Sequence, residues 1–360
     1  MSSTIDPALD ALFIPFQTGV LPWPSEQVLF LRARYGRPLQ DISFKNILCE
    51  QSFKPEADPL TAAGIKLSNS SIDERYPLIL VLLPRQRDEA RALLAQAVTR
   101  IQQNGRIIAC ASNSEGARSG EADLEKLLGP ITTLSKHKCR VFWNDPLTTY
   151  INQPLVDQWL SLDSPRSIEN GRFMSRPGLF AWDRIDRASR LLINHLPNTL
   201  KGHAADLGSG FGYLSVELLR RCPNISALDL YEAEKRALNL AEHNLSEYHS
   251  RLPLQFHWHD VTQGLVRRYQ IIITNPPFHT QSRTDRPDIG RRFISIAAEA
   301  LLPEGQLWLV ANRHLPYEEV LTDNFAEVRT VAQEDGFKII AATKNKSIDS
   351  PLLNKRKHRP

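Results

Sequence analysis

The sequence predicts an α/β fold built from two tandem copies of one strand–helix–strand unit. Three observations carry this. RYPLILVLLPR, 75–85, is a continuous apolar run of strand length, as expected of a strand buried on both faces. The next segment, 87–102, places apolar residues at 90, 93, 94, 97, 98 and 101, which is helical spacing, and Asn104-Gly105 closes it before the strand RIIACA. The second half repeats the order: Arg268-Tyr269 opens a strand as Arg75-Tyr76 does, RRFISIAAEALL follows as a helix, and Glu304-Gly305 precedes QLWLVAN. Strands alternating with helices imply a parallel sheet. Chance likeness between generic α/β segments is the alternative to duplication.

Composition bounds the class. At 360 residues, two domains are expected. The polar, turn-rich stretch 161–173 is the expected linker, which gives domains 1–165 and 166–345 and a basic tail, 346–360. Hydrophobic residues make up 42% and charged residues 23%, as in an ordinary globular protein. The four cysteines are scattered with no CxxC pair, so buried thiols are expected rather than disulfides or a metal site. No secretory signal or membrane-length apolar run is evident, so a cytoplasmic protein is expected. The net charge of +4 permits a nucleic-acid partner without requiring one. The Lys/Arg-rich tail has two readings, a solvated end or a phosphate-attracting one.

Chemistry concentrates in the second half. HAADLGSGFGYLSVELLRRC, 203–222, reads as a strand, a glycine turn and a helix. Glycines allow a ligand to approach the backbone, and the helix start offers free N–H groups. GxGxG alone also resembles dinucleotide sites. Asp206, two residues before Gly208, separates the readings. A carboxylate there is unwelcome beside a pyrophosphate but suits S-adenosylmethionine, which carries a cationic sulfonium and ammonium. The expected cofactor residues are Asp206, Leu207, Gly208, Ser209, Gly210 and Gly212, with Glu232, Asp260, Val261 and Asn275. Glu232, at the end of the next strand, is the first choice to accept from the ribose hydroxyls, with Asp229 as alternative. Asp260 ends a third strand, where it meets the adenine or caps a turn.

The segment YQIIITNPPFH, 269–279, places Asn275-Pro276-Pro277-Phe278 at a strand end facing the cofactor crevice. The prolines stiffen the loop and remove N–H donors. The Asn275 side-chain oxygen and the Pro276 carbonyl then accept the two hydrogens of a planar amine. This localises the nitrogen lone pair for attack on the methyl group. Phe278 stacks on the base. No metal is required.

With these motifs, the sequence resembles the ribosomal RNA guanine-N2 methyltransferase family, the small-subunit enzyme and its large-subunit relatives. The resemblance rests on PGLFAWDRID (177–186), DLGSGFG (206–212), NPPFH (275–279) and VANRHLPY (310–317), and more weakly on VLLPR (81–85) and LSKHKCRVF (134–142). It implies two tandem Rossmann-like methyltransferase domains, the N-terminal one degenerate and supporting RNA binding. It places Phe180 near the cofactor. It implies methylation of a guanine N2 in ribosomal RNA, with small-subunit 16S rRNA favoured, S-adenosylhomocysteine as by-product and rRNA or a ribosomal subunit as partner; the lack of a membrane-length apolar run leads to no membrane partner, and the internal duplication to a monomer, as expectations. Asp183-Arg184-Ile185-Asp186-Arg187 departs from the family's usual Gly-Leu-Asp followed by small residues, which leaves the cofactor contacts there open. The arginines at 283, 286, 291 and 292 meet phosphates or merely solubilise a helix end. Adenine N6, a protein glutamine, and a non-catalytic RNA-binding module are the alternative readings.

Overall fold

A computed structural model describes residues 6–40, 46–68, 74–146, 150–277 and 287–346. Its contacts divide the chain into two compact units. The first comprises Met1–Ile185 with Ala233–Asn244 and Trp258–Asp260. The second comprises Asp186–Glu232, Leu245–His257 and Val261–Pro360.

The first unit carries a seven-stranded sheet of β1 (Val28–Leu31), β2 (Ile47–Glu50), β3 (Lys66–Leu67), β4 (Tyr76–Leu82), β5 (Ile101–Ser112), β6 (Ile131–Lys136) and β7 (Cys139–Asn144), in the order β3-β2-β1-β4-β5-β7-β6. A hairpin of β8 (Arg166–Ile168) and β9 (Phe173–Ser175) follows. Its helices are α1 (Pro7–Gln17), α2 (Arg37–Gln40), α3 (Lys54–Ala62), α4 (Arg87–Arg100), α5 (Ala117–Leu128) and α6 (Gln153–Leu160). Asp6 caps α1 and Gln86 caps α4 through their side chains, each satisfying helix N–H groups that have no partner within the helix. In the rest of the chain, α7 (Arg187–His195), β10 (Lys201–Leu207), α8 (Tyr213–Arg221), β11 (Asn224–Glu232), α9 (Lys235–Asn244), β12 (Leu254–Trp258), β13 (Tyr269–Thr274), α10 (Pro287–Ala300), β14 (Leu301–Asn312), α11 (Glu318–Asn324), β15 (Glu327–Glu334) and β16 (Phe337–Thr343) follow. Their sheet has the order β12-β11-β10-β13-β14-β16-β15.

The two orders are the same permutation. In both sheets the last two strands run antiparallel to their neighbours, and the pairings along β3-β2-β1-β4-β5 and along β11-β10-β13-β14 are parallel. The likeness reaches irregularities. The register slips between Tyr76 and Leu78 against β5, and between Tyr269 and Ile271 against β14. Asn104 and Glu304, each before a glycine, take positive φ of 64° and 62°. A shared strained position in an otherwise generic unit favours duplication over coincidence.

Two features of the division follow from hydrogen bonds rather than from sequence order. The expected boundary near 165 falls inside the first unit, which runs on to Ile185. There Arg176 pairs with the buried Asp163, and Asn244 exchanges two hydrogen bonds with the Met174 backbone. The helix after β11, α9, groups with the first unit although the strand before it belongs to the second. Lys54 N donates to Ala233 O and Lys235 N to Ser52 O, and Trp258 Nε1 donates to both carbonyls. These bonds tie the start of α9 to the segment before α3.

In the second unit, Tyr269, Ile272, Phe293, Ile296, Leu307 and Tyr317 belong to one buried cluster on the side where α10 packs. Gly290 on α10 permits this contact. A Cβ there would lie 1.8 Å from the hydroxyl of Tyr317, which is fully buried. Gly290→Ala should therefore destabilise the protein by about 1–3 kcal/mol, although alanine is the better helix former by about 1 kcal/mol. Chemical denaturation measures this, and an unchanged or raised midpoint would show that Tyr317 yields freely.

Candidate active site

In the second unit β11 and β12 lie on one side of β10, and β13 and β14 on the other. The chain order reverses at the β10/β13 pair, and such a switch point opens a crevice at the C-terminal strand ends. Leu207 pairs with Thr274 in register, and Thr274 Oγ1 donates to Leu207 O at 2.7 Å. The residues that follow, Gly208 and Asn275, therefore leave the sheet side by side.

The loop after β10 folds as a glycine turn. Gly208, Gly210 and Gly212 take φ of 73°, 55° and 90°, values that side-chain-bearing residues adopt only with strain. The N–H groups of Gly208 and Ser209 donate to Tyr231 O, at 2.8 and 3.1 Å. Gly210 N donates to Glu232 Oε2 at 2.7 Å. Gly212 caps α8. A Cβ on Gly210 would meet nothing within 4 Å, so the turn borders open space.

The two acids of β11 separate in the structure. Glu232 meets the glycine turn. Asp229 is 1% exposed and accepts from Tyr269 Oη at 2.8 Å and Arg267 at 3.3 Å, with His203 Nε2 at 3.0 Å. His257 Nε2 lies 3.4 Å away. Burial alone would raise the Asp229 carboxyl, but His257, Tyr269 and His203 outweigh it and hold it well below the usual carboxylate range. Asp229 is thus the centre of a buried ionic cluster, away from the turn.

Asp206 is fully buried. Ser215 Oγ donates to its Oδ2 at 2.7 Å, while Oδ1 is buried with no partner, as is Ser209 Oγ. Burial pushes the Asp206 carboxyl up to about 7 against the Ser215 hydrogen bond, and the Glu232 charge adds to the push. Two orphaned buried oxygens, a glycine turn bordering open space and an acid at the next strand end fit the S-adenosylmethionine expected from the sequence. Asp206 and Glu232 would favour its positive charges, and the turn would admit its backbone-hugging chain.

Other expected residues fall elsewhere. Leu207 and Val261 are buried apolar side chains of the second unit. Phe180 belongs to the first unit and is 65% exposed, and Asp260 also groups with the first unit, two residues past the end of β12. Pro276 is buried and Pro277 exposed. Phe278, Arg283, Arg286 and most of the basic tail lie outside the described residues. Arg291 and Arg292 donate to the carbonyls of Pro316 and Thr262, so both are at least partly engaged within the fold. Sequence reading missed the partners of Asn275. Its Nδ2 donates to Asp186 Oδ2 and to Ser189 Oγ, both at 2.9 Å. The helix-start pattern Asp186-x-x-Ser189 was the available signal. Among the described residues no cluster of three or more His, Cys, Asp or Glu is placed to share a metal ion, and no helix is long and apolar enough to cross a membrane.

The comparisons with known proteins bear on this geometry. The family described as "Methyltransferase small domain" matches residues 170–341, a span holding the glycine turn and Asn275. The ribosomal RNA small subunit methyltransferase C of Pseudomonas paraeruginosa is 31% identical over 281 residues, covering 76% of this chain and 82% of that protein. The protein of the same name from Psychromonas ingrahamii is 27% identical over 318 residues, 85% of this chain and 88% of its own. Among solved structures, the T. thermophilus 16S rRNA N2 G1207 methyltransferase in complex with AdoMet and guanosine superposes with a TM-score of 0.77 at 24% identity, over 96% of this chain and 93% of that one. That likeness shows the same fold through both halves. Identity at this level over most of both chains establishes that this chain belongs to the ribosomal RNA small subunit methyltransferase C family.

Proposed function

We propose that the protein methylates the exocyclic N2 amine of a guanine in 16S ribosomal RNA, using S-adenosylmethionine. The observation that carries this is the register of β10 and β13, which sets Asn275-Pro276-Pro277 beside the Gly208 turn. The relatives' names, and the guanosine and AdoMet named with the T. thermophilus structure, support the substrate and cofactor. The second unit carries the chemistry, and the first supports RNA binding. The protein works in the cytoplasm as a monomer.

When bound, S-adenosylmethionine supplies an electrophilic methyl group on a cationic sulfur. Asn275 Oδ1 and the Pro276 carbonyl accept the two amine hydrogens and fix the amine plane. Positive charge grows on the amine nitrogen as its new bond forms, so these acceptors bind the transition state more strongly than the ground state. Glu232 holds the turn through Gly210 and lies where ribose hydroxyls need an acceptor. The displaced amine proton passes to water.

Mass spectrometry of nucleosides from each ribosomal subunit, with and without the gene, tests the assignment. Loss of one N2-methylguanosine from small-subunit RNA is expected. Unchanged RNA in both subunits would move the reading to a protein glutamine or to a non-catalytic RNA-binding module. Asn275→Ala should lower kcat by at least about a hundredfold while cofactor affinity stays within twofold; full activity would remove the acceptor role.

Asp206 adds a pH signature. A cation on the turn favours the charged carboxylate, so cofactor affinity rises as the group deprotonates around its value of about 7. Between pH 6 and 7.5 the dissociation constant should fall by about five- to eightfold. Asp206→Asn should bind more weakly and flatten the profile. Calorimetric titration reads both, and a flat wild-type profile would show that Asp206 does not sense the cofactor.

A further inference from the structure

Asn275 has two chemically opposite ends of nearly equal shape. Only the oxygen end serves as an acceptor for an amine. With the nitrogen end turned to the substrate, two donors would face each other and both would lose partners. The acceptor role assigned above therefore needs a device that selects one orientation.

The structure contains such a device. Asn275 Nδ2 carries two hydrogens and meets two acceptors, Asp186 Oδ2 and Ser189 Oγ, each at 2.9 Å. Ser189 is buried. The same Asp186 oxygen accepts from Ser189 N at 2.8 Å and caps α7. The cap thus fixes the carboxylate on the helix, and the carboxylate fixes the amide. The flipped amide would set Oδ1 against Asp186 Oδ2, oxygen against oxygen.

We infer that Asp186 and Ser189 are positioning residues that hold Asn275 Oδ1 toward the substrate amine. This rests on the acceptor role given to Asn275 under the proposed function. Asp186 does more than orient. A carboxylate accepting from an amide N–H draws negative charge toward the amide oxygen, because linked hydrogen bonds polarise one another. Asn275 Oδ1 becomes the stronger acceptor as the amine nitrogen turns positive. The effect belongs to kcat rather than to ground-state binding.

The test separates positioning from capping. Serine is as good an N-cap as aspartate, but its shorter side chain does not reach Asn275. Asp186→Ser should keep the melting temperature close to wild type, keep the cofactor dissociation constant and the KM for RNA within about twofold, and lower kcat by about tenfold to a hundredfold. Asp186→Asn should recover most of that loss, because one oxygen accepts both bonds and asparagine still offers one. Single-turnover methyl transfer to small-subunit RNA reads kcat. Wild-type kcat in Asp186→Ser beside an inactive Asn275→Ala would overturn this inference alone and leave Asp186 a helix cap. A loss confined to cofactor affinity would overturn it too. Full activity in Asn275→Ala would remove the acceptor role itself, and the inference with it.

Discussion

The pairing of β10 with β13 is the constraint on which the site depends. A parallel pair fixes which residues leave the sheet together, and here Leu207 faces Thr274. Thr274 Oγ1 closes the pair with a buried hydrogen bond to Leu207 O. One residue further, the chain on one side turns through glycine and on the other through Asn-Pro-Pro. β13 is buried on both faces from Ile271 to Thr274, with Gln270 exposed near its start. The buried bond from Thr274 to Leu207, more than the apolar run, marks the register that brings Asn275 to the turn.

The first unit shows what the same sheet is without those two loops. Its strand equivalent to β10 is β1, and the residue after it is Arg32, at a φ of 52° where the second unit has Gly208. Arg32 reaches the buried Glu89, which also accepts from Arg236 at 2.8 Å. Its strand equivalent to β13 ends in Leu82-Leu83-Pro84-Arg85, and Leu83 N pairs with Cys110 O. A cation pinned in an ion pair is a poor neighbour for a cationic cofactor. The sheet survives because its buried faces need only apolar strands, whereas the site needs particular residues at two turns.

Most of the fold was legible because it rests on periodicity. The runs at 75–85 and 269–274 and the helices after them have one reading each, and the repeated Asn104-Gly105 and Glu304-Gly305 marked a shared irregularity, which lies inside β5 and β14. The edge strand β15 and its neighbour β16 were not legible; β15 is largely exposed and shows no apolar alternation. The site was legible where the chemistry sits in one short segment. The glycine turn and Asn275 announce themselves. Asp186 did not, since its role appears only when a residue 89 positions away in sequence is brought beside it. The choice between Asp229 and Glu232 was likewise open in sequence. It turns on His203, His257, Arg267 and Tyr269, which lie on three other strands or beside them and gather around Asp229 only in the folded sheet.

The charges around the turn explain a division of labour. Asp186, Asp206 and Glu232 lie at one edge of the second unit, so that edge carries negative charge or a readiness to carry it. Asp206 is held near neutrality by burial and by Glu232, so the site does not bear the full cost of three charges before a ligand arrives. A cation at the turn stabilises Asp206 and Glu232 together, whereas a phosphate there would be repelled. A neutral base meets no such repulsion at this edge.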